Sequence, residues 1–149
     1  MSKQDLQDEL KKSMLAKDEL RTSTLRLLLS AINYYEIQKG GAGYDASEDD
    51  ILSVIQTQVK QRKDSIDQFT TAGRQELVDK EREEMEILQS FLPAQMDEGK
   101  VREEVEKAIN QTGASSIQDM GKVMGALVHL RNQADMALVS KLVKDKLTS

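Results

Sequence analysis

Lys60-Gln61-Arg62-Lys63-Asp64-Ser65-Ile66, followed by Ala72-Gly73-Arg74 and then by Phe91-Leu92-Pro93-Ala94-Gln95-Met96, divides the chain into its working parts. The first piece is basic, yet it sits inside an apolar row of helical period, Ile51, Ile55, Val59, Ile66 and Phe69. Gly73 lets the backbone reverse where that row stops. A second, heavily charged helix is expected from Gln75 to about Ser90, with Leu77, Val78, Met85 and Leu88 on its apolar side. Pro93 lacks the N–H that would continue the ladder, so a domain boundary is expected there.

Working outward, the same period recurs in both directions, and no stretch alternates cleanly with period two. Ser2 with Asp5 reads as a capping box for a first helix carrying Leu6, Leu10 and Met14. A second helix runs from about Asp18 to Lys39, with Leu25, Leu28, Leu29, Ile32 and Tyr35 on one face, and stops at Gly40-Gly41. Ser47 with Asp50 opens the third helix, which ends at Gly73. Beyond Pro93 a fifth helix carries Val101, Val105, Ala108 and Ile109 up to Gly113. Ser116 with Asp119 opens a sixth carrying Met120, Met124 and Leu127, and a seventh from near Asp135 carries Leu138, Val139, Leu142 and Val143. The expected fold is all-α: an N-terminal four-helix bundle over residues 1–92 and a C-terminal three-helix domain over 93–149. The second is small enough to lean on the first for stability.

Composition agrees with helices. Of 149 residues 32% are charged, five are aromatic and one is proline. The absence of cysteine excludes disulfides, thiol nucleophiles and Cys-ligated metal. Charges alternate from Lys3 to Lys12, and Leu27 to Leu29 is far too short an apolar run to span a bilayer, so a soluble cytoplasmic protein without membrane contact is the expectation. The net charge of −5 argues against a protein that grips nucleic acid over its whole surface. Residues 1–92 hold 13 basic and 18 acidic groups, whereas residues 93–149 hold eight of each, so the C-terminal part resists RNA less.

At about 100° per residue Lys60 and Lys63 point toward solvent, while Arg62 falls inside the apolar row. A guanidinium there needs a carboxylate. Folding back at Gly73 brings Glu81, in the middle of the apolar side of the fourth helix, to its level. An Arg62–Glu81 ion pair is expected, with Glu84 as the alternate partner. The other charges of that helix, Glu76 with Lys80, Lys80 with Glu84 and Arg82 with Glu86, read as solvated i,i+4 pairs.

Gly41-Ala42-Gly43-Tyr44-Asp45-Ala46 fits a dinucleotide pattern on paper, but a helix precedes it, and Asp45, Glu48, Asp49 and Asp50 repel phosphate. It reads as an interhelical loop. Gly121 and Gly125, four apart on one helix, read as a close-packing face with Lys122 outward. His129, the single imidazole, reads as structural or surface near a helix C-terminus. No phosphate loop, metal-spaced His set or serine with a positioned base can be assembled, and no cofactor or metal is expected.

The basic segment, the Gly73 turn and Phe91-Leu92-Pro93-Ala94-Gln95-Met96, together with Met120-Gly121-Lys122-Val123-Met124-Gly125, Ala134-Asp135 and Leu138-Val139, resemble the YqeY-like members of the GatB/YqeY family over essentially the whole chain. The resemblance extends to the C-terminal region of the B subunit of glutamine-dependent tRNA amidotransferases. It implies an accessory to tRNA-dependent amidation whose C-terminal helices touch tRNA or a partner protein of tRNA metabolism, with Lys122, Arg131, Lys141 and Lys144 as the residues for RNA contact. Where many relatives carry a basic-Gly-Arg-Ala-Asp-Gly segment, this chain has Arg131-Asn132-Gln133-Ala134-Asp135-Met136, with no charge at Gln133. Asn132 keeps access to the left-handed turn conformation. Two other functions stay open. One is a protein-interaction adapter docking through its acidic N-terminal bundle without RNA. The other is a carbon-nitrogen ligase with glutamine as amido donor, acting only with a separate catalytic subunit.

Overall fold

Ser2, Ser47 and Asp97 each stand in extended backbone just before a helix and accept a hydrogen bond from the N–H three residues on. At the first two the N–H of the serine also donates to the following carboxylate, 2.8 Å to Asp5 and 3.0 Å to Asp50, completing the capping boxes. The computed structural model describes residues 1–41 and 43–148, so Ala42 of the Gly41–Ala46 loop and Ser149 lie outside the described residues. Its helices are α1 (Lys3–Leu15), α2 (Glu19–Gly40), α3 (Glu48–Thr71), α4 (Gln75–Gln89), α5 (Glu98–Thr112), α6 (Met120–Ala126) and α7 (Met136–Thr148). The fold is all-α, with no strand among the described residues.

The chain divides into two compact units, one holding Met1–Leu92 and the other beginning at Pro93. In the first, Leu6 of α1, Leu25, Leu28 and Ile32 of α2, Ile51 and Ile55 of α3 and Leu88 of α4 form a closed apolar core. At 1.5 Å per residue α3 is about 36 Å long. It packs most extensively on α4, and Ile66 and Phe69 in its distal half, with Leu77 of α4, are only half-buried. Met14, expected on the inner face of α1, is instead 50% exposed, because it lies in the last turn, to one side of the Leu6–Leu10 row.

In the second unit Val101 and Val105 of α5, Val123 of α6, Leu127, Leu130, and Val139 and Val143 of α7 are sealed from water. The segment after Pro93 is tied down by Met96 N–H donating to the Gln133 carbonyl at 2.9 Å and by Gln95 Nε2 donating to the Asn132 carbonyl at 3.0 Å. Three sequence expectations change here. The sixth helix is a seven-residue α-helix flanked by 3-10 turns at Ile117–Asp119 and Val128–Leu130. Gly121 and Gly125 do not form a packing face: they lie on the side away from Val123, and a Cβ on either would meet nothing within 4 Å. Asn132 does not take the left-handed conformation, because Gln133 and Ala134 both donate to the Leu130 carbonyl in tight right-handed turns.

Candidate functional site

The four cations singled out in the sequence all lie at the surface of the C-terminal unit. Val139, Leu142, Val143 and Leu147 turn inward on α7, which leaves Lys141 and Lys144 one turn apart on its outer face. Lys122 stands outward on α6, and Arg131 is exposed just after the second 3-10 turn. The four therefore occupy two segments, Lys141 with Lys144 on one helix and Lys122 and Arg131 on the stretch before it. Near Lys122 the backbone N–H groups of Ser115 and Ser116 hold Asp119 below the usual carboxylate range, with a smaller attraction from Lys122 itself.

Charge is segregated within this unit. Residues 93–119 carry three basic and six acidic groups, whereas 120–149 carry five basic and two acidic. Lys146 of α7 bridges the two populations by pairing with Glu106 of α5 at 2.7 Å. Next to it lies a shallow groove of about 200 Å³ lined by Arg102, Val105, Leu142, Asp145 and Lys146. His129 is exposed, and its Nε2 lies 3.8 Å from Glu104 Oε2 of α5.

In the first unit, Arg62 Nε lies 3.2 Å from Glu84 Oε2 and 3.8 Å from Glu81 Oε2. Glu84, expected in a solvated pair with Lys80, is 6% exposed and turned toward α3. Arg62 Nε and Glu81 Oε2 are buried atoms without a hydrogen-bond partner among the described residues, so the attraction is one of charge more than of aligned hydrogen bonds. Glu76 pairs with Arg74 at 2.9 Å instead of with Lys80.

A second polar network had no signal in the periodicity. Asp50 of α3 accepts from Tyr44 Oη at 2.7 Å and from Tyr35 Oη at 2.9 Å. The Tyr44 hydroxyl bond, then the Ser47 N–H and the Tyr35 hydroxyl, hold the Asp50 carboxyl far below its ordinary value, and the same carboxylate pushes Tyr44 up to about 12. Glu36, buried on α2, accepts from Lys3 Nζ at 2.7 Å and from the Ala46 N–H at 2.8 Å. These contacts pin the α2–α3 connection and the start of α1, which is a structural task.

Comparison with known proteins adds the following. The family described as Yqey-like protein matches residues 3–147. "Altered inheritance of mitochondria protein 41, mitochondrial" of Lachancea thermotolerans is 41% identical over 88 residues, covering 59% of this chain and 46% of that protein. The proteins of that name from Saccharomyces cerevisiae (strain YJM789) and Kluyveromyces lactis are 39% identical over 87 residues and 42% over 89, covering 58% and 60% of this chain and 46% and 47% of theirs. The aligned stretch thus spans about half the length of the curated relatives. Their names overturn the cytoplasmic expectation. It rested on composition, which records solubility and not address, and these relatives are named as mitochondrial. No described helix is long and apolar enough to cross a membrane.

Proposed function

The chain belongs to the Yqey-like protein family, and on that footing we propose that it is a non-catalytic accessory that binds tRNA through its C-terminal unit. The observation that carries this is the charge segregation there. In a protein of net charge −5, residues 120–149 carry a positive surplus and hold Lys122, Arg131, Lys141 and Lys144 at the surface. Surface cations of this kind attract a phosphate backbone by releasing counterions, and they read no base by themselves.

Fluorescence anisotropy against labelled tRNA and a length-matched unstructured RNA, at low and near-physiological salt, tests the proposal. Binding that prefers tRNA, weakens with salt, and weakens further with Lys141→Glu/Lys144→Glu is expected, each lost phosphate contact lowering the salt slope by about one. No binding at low salt, where the attraction is strongest, overturns it.

A further inference from the structure

The α1–α2 end of the N-terminal unit has a charge opposite to that of its surroundings. Residues 11–29 carry five basic and two acidic groups, whereas the rest of 1–92 carries eight basic and sixteen acidic. Arg21 is occupied, paired with Glu9 at 3.1 Å and lying over the Phe91 ring. Lys17 and Arg26 remain exposed and, with Met14, Glu19, Thr22 and Ser23, line an open groove of about 510 Å³. Met14 is half exposed and Leu15, beside it, is 86% exposed.

The groove meets a second apolar row on the outside of α2. Leu20, Leu27 and Tyr34 fall seven residues apart and Ile37 follows three later, while Leu25, Leu28 and Ile32 fill the core from the opposite face. Leu27, Tyr34 and Ile37 are 53%, 63% and 66% exposed. A heptad-spaced row is the surface that another helix covers with its own a and d positions.

We propose that this surface docks an acidic amphipathic helix of a partner protein, its apolar side on Leu27, Tyr34 and Ile37 and its carboxylates toward Lys17 and Arg26. The inference is independent of RNA binding by the other unit. Charge decides the occupant. A two-fold contact with a second copy centred on the groove would set Lys17 and Arg26 against the same cations of the other chain. Nucleic acid would find no aromatic among the residues lining the groove for its bases to stack on.

The test is a titration of the ¹⁵N-labelled full chain with a synthetic 21-residue Leu/Glu heptad peptide. Parallel arms use the Leu/Lys counterpart, 3:1 phosphatidylcholine–phosphatidylglycerol vesicles and oligouridine, and sedimentation equilibrium reads self-association. Saturable amide shifts at Lys17, Thr22, Ser23 and Leu27 with the Leu/Glu peptide are expected, with affinity falling about tenfold in Arg26→Glu. Leu27→Ser should weaken binding independently, and circular dichroism checks that both variants stay folded. The proposal is overturned by equal affinity for the Leu/Lys peptide, by affinity unchanged in both variants, or by the same residues shifting only with vesicles or oligouridine. A concentration-dependent dimer that Leu27→Ser abolishes also overturns it, in favour of a second copy.

Discussion

Arg62 sits in a row of otherwise apolar residues, and two carboxylates answer it from α4. Glu84 is both the nearer and the more deeply buried of the two. Removing one member of a buried charge cluster leaves another uncompensated, at about 3–5 kcal/mol. Arg62→Met strands two carboxylates, so its loss should fall in that range, and Glu84→Ala should cost more than Glu81→Ala. Arg62→Met/Glu84→Leu should regain much of the stability lost by Arg62→Met, because the burial of a lone charge is relieved. Urea unfolding of the four variants checks this, and single variants that melt like the wild type would show that the cluster contributes nothing. The need for a carboxylate opposite Arg62 is legible from a helical wheel. Which glutamate lies nearer is not, because adjacent turns of α4 present both and the packing angle between helices chooses.

At the level of elements, two turns in this chain share one hydrogen-bond pattern. After α1, Ala16, Lys17 and Asp18 donate to Lys12, Met14 and Ser13. After α3, Ala72, Gly73 and Arg74 donate to Gln68, Thr70 and Phe69. Both place their middle residue at positive φ, 70° for Gly73 and 57° for Lys17, the only such residue other than glycine among those described. A left-handed non-glycine residue is disfavoured by about 1–2 kcal/mol, partly offset by the greater freedom of glycine in the unfolded chain. Lys17→Gly should therefore stabilise the protein by about 1 kcal/mol and raise the melting temperature by a few degrees, measured by thermal circular dichroism. No rise would mean that the surroundings already compensate the strain. The capping boxes and glycine stops were legible in the sequence because they are satisfied within four or five residues. The left-handed Lys17 was not, since lysine carries no signal for that conformation.

At the scale of the whole molecule, each unit closes its own apolar core, around Leu6, Ile32 and Ile55 in one and around Val105, Val123 and Val143 in the other. Residues 1–92 expressed alone should melt cooperatively with helical circular dichroism, while residues 93–149 should fold more weakly, because a chain of that length buries only about 60% of its surface. An N-terminal fragment without a cooperative transition would refute this. By itself the amino-acid sequence determined the all-helical class, the capped helix starts after Ser2 and Ser47, the stops at Gly40-Gly41, Gly73 and Gly113, and the outward position of Lys122. Period, caps and breakers act over one or two turns. Only the tertiary structure decided that Glu36 and Glu84 are buried, that Gly121 and Gly125 face open space, and that α2 carries one apolar row inward and another outward. Those outcomes depend on which face a neighbouring helix covers, and that is set by packing between residues far apart in the chain.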